Sequence, residues 1–271
     1  ISSDKVPMGA QVLFARAQGE NAGWSPAAES RVTVKPPEGG GFIEAGVIST
    51  DRTECIHMAD LNGDGRDDLI SSGHGGISWF TNRGDGVFGK KQVISTYYKP
   101  ECVFAADIDD DRDVDVLLAS MARNTIAWYA NSGKGEFGDQ QVITEYVRYP
   151  ISVYSADLDG DGDMDVLSGG ARNYWYENLG SGRFEDRVQI GDDHAELSRI
   201  MAADLNSDNC EDVLIFEDED YPDQVNVGTV SWFQNQGNAH FGEAQRIGKV
   251  GKSAASLYAD DLDGDEDIDI L

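Results

Sequence analysis

Five nine-residue stretches place oxygen-bearing side chains at positions one, three, five and nine. They carry Asp60, Asn62, Asp64, Arg66 and Asp68; Asp107, Asp109, Asp111, Asp113 and Asp115; and Asp157, Asp159, Asp161, Asp163 and Asp165 at positions one, three, five, seven and nine. The last two copies carry Asp204, Asn206, Asp208, Cys210 and Asp212, then Asp261, Asp263, Asp265, Asp267 and Asp269. When such a loop curls, side chains at positions one, three, five and nine converge on one point and position seven adds its backbone carbonyl. An all-oxygen donor set with no demand for His or Cys selects Ca²⁺ over zinc or copper, and Mg²⁺ prefers fewer protein ligands. In the copies starting at 60 and 204, Asn at the third position supplies a carbonyl oxygen and one charge fewer. The EF-hand fits poorly: its twelfth position would be Ser71, Leu118, Ser168 or Ile215, never Glu. Asp favours solvated turns on its own account. Yet these stretches with Asp260 hold 26 of the 50 acidic residues, a density that repels itself without a counter-ion. The expectation is about one Ca²⁺ per loop, up to five in the chain.

The elements that position these loops repeat with them. Loop starts are separated by 47, 50, 47 and 57 residues, the length of a propeller blade or solenoid unit. A Trp–aromatic pair follows each of the first four loops: Trp79-Phe80, Trp128-Tyr129, Trp175-Tyr176 and Trp232-Phe233. Next come turns opening at Asn82, Asn131, Asn178 and Asn235, rich in residues that tolerate the positive φ of a tight turn. Phe88, Phe137, Phe184 and Phe241 then lead into short β-branched stretches. Alternation in Ser152–Asp157 and the β-rich Ile126–Tyr129 read as strands, and no long stretch has helical periodicity. Each unit thus supplies about four short strands, the pattern of an all-β propeller. A right-handed β-helix competes, but its rungs are shorter. The 57-residue spacing reflects an insertion around 217–223, expected as a longer loop on one blade edge.

Composition excludes several classes. A formal net charge of −29 repels nucleic acids and anionic membrane surfaces. No apolar run exceeds five residues, so no membrane-inserting helix is expected. The repeated Trp–aromatic pairs read as packing between blades rather than sugar platforms. Arg83-Gly84-Asp85 occupies the turn that reads otherwise in the other units, so turn chemistry explains it. Cys55 and Cys102 both lie five residues before a loop, at equivalent positions in neighbouring blades; a disulfide and buried free thiols both remain open. His57, His74, His194 and His240 are scattered over different repeat positions, and no nucleophile elbow, zinc-protease motif or phosphate loop occurs.

The Asp-x-Asp-Gly-Asp-x-Asp loops, with Trp-Tyr-x-Asn and Gly-x-Phe-Gly after them, resemble FG-GAP/VCBS repeats over residues 42–271. That family forms calcium-loaded propeller blades in integrin α-subunit heads, some fungal lectins and many surface proteins. The resemblance implies seven blades, of which four full ones and part of a fifth are expected here. Residues 1–35 resemble the last hairpin of a fibronectin type III or similar sandwich domain, with 36–41 as linker. The alternative is an extra strand pair on the propeller. The implied function is a non-enzymatic, extracellular calcium-binding module for adhesion, protein–protein interaction or surface architecture. Its partners would be a protein or glycan ligand on the propeller face, other domains, or copies within a larger surface assembly. A calcium-dependent lectin is the alternative, and an accessory domain of an extracellular enzyme the third reading.

Overall fold

A computed structural model describes residues 30–34, 43–49, 52–84, 86–96, 99–191, 197–221, 224–251, 257–261 and 268–270. The expected hairpin and linker over 1–29 and 36–41 lie outside the described residues, as do Asp85, His194 and Asp263, Asp265 and Asp267. Every regular element among the described residues is a strand. None is a helix long and apolar enough to cross a membrane.

Four antiparallel sheets of four strands follow one another along the chain, each a simple meander. The first blade contains β3 (Thr53–Ala59), β4 (Asp68–Gly73), β5 (Gly76–Phe80) and β6 (Gln92–Ser95). The second contains β7 (Cys102–Ala106), β8 (Asp115–Ser120), β9 (Thr125–Asn131) and β10 (Phe137–Thr144). The third contains β11 (Ser152–Ala156), β12 (Asp165–Gly169), β13 (Asn173–Tyr176) and β14 (Val188–Ile190). The fourth contains β15 (Ser198–Ala203), β16 (Asp212–Tyr221), β17 (Gln224–Phe233) and β18 (Gln245–Gly251). A pair, β19 (Ala259–Asp260) with β20 (Asp269–Ile270), begins a fifth, and β1 (Ser30–Val34) pairs antiparallel with β2 (Ile43–Ser49).

Successive blades meet through their first strands: β3 packs beside β7, β7 beside β11 and β11 beside β15. These are the innermost strands of a propeller. One core fills each gap between blades. Leu61, Ile70 and Trp79 meet Val116 and Leu118; Ile108 and Trp128 meet Val153 and Tyr176; Leu158 and Trp175 meet Ile200 and Ile215. Second strands are therefore buried on both faces, which explains continuous apolar runs such as Val116–Ala119 in place of alternation. Outermost strands face water on one side, and Val93, Val142 and Val188 are about half exposed.

The tryptophans are the largest inter-blade wedges. Trp79, Trp128 and Trp175 are 4%, 2% and 8% exposed. Each packs on the Asn turn of the following blade. A Cβ on Gly135 would stand 2.2 Å from Trp79 Cζ2, and one on Gly182 would stand 2.4 Å from Trp128 Cζ2. Trp175 packs with Ala239 and meets Phe241 edge-on at 6.5 Å. Burying one such ring removes roughly 200 Å² from water, about 5 kcal/mol before ordering costs.

Two features depart from the sequence reading. Residues 217–221 and 224–227 around the insertion continue β16 and β17 as paired strands, with Glu219 opposite Val227 and Tyr221 opposite Gln224, where a longer loop was expected. The β-branched Val225, Val227 and Thr229 favour the ladder, so the extra residues extend it. The inner strands also present one aromatic register. His57 stacks on Phe104 at 4.5 Å and Phe104 on Tyr154 at 4.4 Å, and Met201 takes the same position in β15. Burial there pulls His57 down to about 4.

Candidate functional site: the acidic blade loops

Each acidic loop joins the first and second strands of a blade, so all of them lie at one end of the propeller beside the Asn turns. Their curl comes from two left-handed residues. Positions four and six have positive φ in every described loop: Gly63 and Gly65, Asp110 and Arg112, Gly160 and Gly162, Ser207 and Asn209. Blades one and three use glycine, which bears this conformation without strain; Arg112, at φ +74°, carries the cost of a Cβ there.

Side chains then close the loop on itself. The amide of position six donates to the second oxygen of position one: Gly65 to Asp60 at 2.7 Å, Arg112 to Asp107 at 2.9 Å, Gly162 to Asp157 at 3.1 Å and Asn209 to Asp204 at 2.8 Å. The amide of position seven donates to position five: Arg66 to Asp64, Asp113 to Asp111, Asp163 to Asp161 and Cys210 to Asp208, at 2.9–3.0 Å. Arg66 also pairs with Asp64 at 3.6 Å.

Position nine is the hub. Asp68, Asp115, Asp165 and Asp212 are fully buried. One oxygen of each accepts the amide of the turn asparagine: Asn82 at 2.7 Å, Asn131 and Asn178 at 2.8 Å, and Asn235 at 2.7 Å. The other accepts the amide of position two, from Leu61, Ile108, Leu158 and Leu205, at 2.9–3.3 Å. Burial pushes Asp115 and Asp165 up to about 7, and Asp68 and Asp212 in the same direction, against the pull of these amides.

The turn asparagines do more than turn the chain. Asn131 Nδ2 donates to Leu61 O at 2.8 Å, Asn178 Nδ2 to Ile108 O at 2.9 Å and Asn235 Nδ2 to Leu158 O at 2.6 Å. Each acceptor lies in the loop of the preceding blade. The same nitrogens also reach their own blade, at Val114, Met164 and Glu211 O, and Asn82 reaches Asp67 O. The loops at 60, 107 and 157 are thus each held by their own Asp and by the Asn of the next blade. Sequence reasoning treated these residues as turn formers; the signal was Asn at all four positions, where Gly, Ser or Asp would also turn.

Among the described residues, two loops gather carboxylates closely enough for one ion. One oxygen each from Asp107, Asp109 and Asp115 lies within 4.8 Å of the others, and the same holds for Asp157, Asp159 and Asp161. Asp107 Oδ1 and Asp109 Oδ1 are buried without a hydrogen-bond partner, an arrangement that an oxygen-seeking cation satisfies. Burial first, then neighbouring carboxylates, push Asp109 and Asp159 above the ordinary carboxylate range. Asp163 is raised chiefly by its hydrogen bond with Asp110 of the preceding loop, which also accepts the Ser181 amide at 3.3 Å. In the loops at 60 and 204, Asn62 Nδ2 donates to Asp68 at 3.0 Å, whereas Asn206 Oδ1 accepts the Asp208 amide at 2.9 Å. In the last loop, Asp261 donates its amide to Asp260 at 3.0 Å and Asp269 opens β20. The donor set fits Ca²⁺, which brings no redox chemistry of its own.

Fold and loops together define a β-propeller whose blades each carry an acidic, inward-curled loop. Residues 60–118 and 107–168, which run from the first blade into the third, match the family model of the FG-GAP-like repeat. No curated protein matches the chain. Among solved structures, an Agrocybe aegerita lectin, described for specific recognition of non-reducing terminal N-acetylglucosamine, is similar with a TM-score of 0.60 at 20% identity. The match covers 89% of this chain and 70% of that one, and the likeness is one of fold. The V. cholerae biofilm matrix protein Bap1 matches with a TM-score of 0.39 at 15% identity, over 77% of this chain and 41% of that one.

Proposed function

We propose that this chain is a calcium-stabilised binding module of an extracellular surface or adhesion protein, acting by recognition and architecture rather than by chemistry. The observation that carries the proposal is the pair of buried, unpartnered oxygens on Asp107 and Asp109 beside Asp115. Asp157, Asp159, Asp161 and Asp165 are the proposed side-chain ligands of the third loop, with Asp163 lending its carbonyl. The proposed ligands of the other loops are their residues at the same positions. Millimolar extracellular calcium suits modular sites of this kind, and ions bound only to the folded state stabilise it.

Thermal unfolding in calcium and in EDTA tests the ion. Wild type should melt higher in calcium, and Asp161→Ala should lose part of that gain yet match wild type in EDTA. Equal losses in both conditions would contradict a ligand role. A second reading, carbohydrate recognition, draws support from the lectin with which this chain shares its fold. A glycan array probed in calcium and in EGTA separates the two. Calcium-dependent binding to a defined sugar favours the lectin, and a blank from folded protein favours protein–protein adhesion.

A further inference from the structure

We propose that Cys55 and Cys102 are a disulfide-forming pair that bolts the first blade to the second when the protein meets a disulfide oxidant. The two residues hold the same register on neighbouring inner strands, Cys55 opposite Ser72 in the first blade and Cys102 opposite Ala119 in the second. Because β3 packs beside β7, their sulfurs lie 3.7 Å apart although the residues are 47 apart in sequence. A disulfide spans about 2.05 Å, so the sulfurs must close by roughly 1.7 Å, within the reach of side-chain rotation. Both residues are partly buried, packed against the cores between the blades. The third thiol, Cys210, lies in the fourth acidic loop and is no part of the pair.

A hydrogen bond with Cys102, the Val103 amide 3.5 Å from the Cys55 sulfur and the charge of Arg199 pull the Cys55 thiol below its usual value. The contact with Cys55 and burial push Cys102 up. Exchange opens at one sulfur of the pair, here written for Cys55. Its thiolate attacks a sulfur of the oxidant's disulfide, forming a mixed disulfide and expelling one thiolate. The Cys102 thiolate then attacks the Cys55 sulfur, forming the Cys55–Cys102 bond and expelling the second. The two protons leave on the oxidant, which departs as two thiols; the pair of cysteines is oxidised and the oxidant's disulfide reduced. Oxidised glutathione, or a thiol–disulfide oxidoreductase of an oxidising compartment, supplies this chemistry.

The test uses the full chain, reduced, freed of reductant and incubated with oxidised glutathione. The expected result is one titratable thiol after denaturation in place of three, a tryptic peptide joining Cys55 to Cys102, and a Tm about 10 °C above the reduced protein. Cys55→Ser, treated alike, should show no such rise. Three thiols surviving oxidation, a stable glutathione adduct on Cys55, or a bridge that instead joins Cys210 overturns the proposal; the thiol count and the peptide map need no variant to fold.

Discussion

Replacing Asn178 by Ala should loosen the third blade from the second. Asn178 is fully buried and makes three side-chain hydrogen bonds: Nδ2 to Ile108 O at 2.9 Å, Nδ2 to Met164 O at 3.0 Å and Oδ1 from the Gly180 amide at 3.1 Å. The last two groups lie near the loop surface and can recover water, at about 0.5 kcal/mol each. The Ile108 carbonyl is enclosed between blades, and stranding it should cost about 2 kcal/mol. The sum of about 3 kcal/mol corresponds to a Tm loss of about 9 °C in a domain of this size. Asn82→Ala supplies the control. Asn82 bonds Asp67 O and the Gly84 amide of its own blade, with no preceding loop among the described residues to hold. It leaves the same cavity, so it should cost about 1 kcal/mol, or about 3 °C. Both variants would be melted by circular dichroism at saturating calcium and in EDTA. Equal losses for Asn82→Ala and Asn178→Ala would refute the inter-blade bond as a source of stability.

Acidity offers a second test. Asp115 and Asp165 titrate near 7 in the metal-free fold and near 3.8 when unfolded, so between those values the folded state holds more protons. Metal-free protein should therefore lose stability as pH rises from about 4 to about 7, whereas calcium, which competes with those protons, should stabilise most above 7. A metal-free Tm that climbs over this window sinks the assignment. Arg112→Gly relieves a left-handed residue at φ +74° and should raise Tm by about 2 °C, corresponding to about 0.5–1 kcal/mol; a fall would mean that the side chain contributes more than its strain costs. Gly182→Ala sets a Cβ 2.4 Å from Trp128 at a positive φ and should cost about 3 kcal/mol with a red shift of tryptophan emission. A Tm within 1 °C of wild type would count against tryptophan wedging between blades.

Most of the architecture was legible because it is written locally and repeatedly. Four Asp loops, four Trp–aromatic pairs and four Asn turns recur in one order, and each marks a strand boundary that the structure reproduces. The tryptophans could be assigned to packing because the Trp–aromatic pair recurs at one strand position in four units. Less visible were partnerships that span blades. Asn131 and Leu61 are 70 residues apart, and nothing in the turn around Asn131 hints that its amide group points at another loop. The hub role of Asp115 was hidden for a related reason: a carboxylate at the ninth position reads as a ligand and nothing more until its burial and two amide donors are seen. At 217–223 the acidic composition pointed to solvent, while the strand-forming residues that extend the hairpin lie across the turn.

Three of the turn asparagines reach back to the same position of the preceding loop. Donor and acceptor are separated by 70, 70 and 77 residues, the last being longer by the extended hairpin between them. Every such blade presents an acceptor carbonyl to its successor and a donor amide to its predecessor, like links with one hook and one eye. A gene segment encoding one blade can then be duplicated or lost without leaving a mismatched joint, since the new neighbours meet through the same two groups. A change in blade number by whole units keeps this one hydrogen bond at each joint, even where the side chains around it differ.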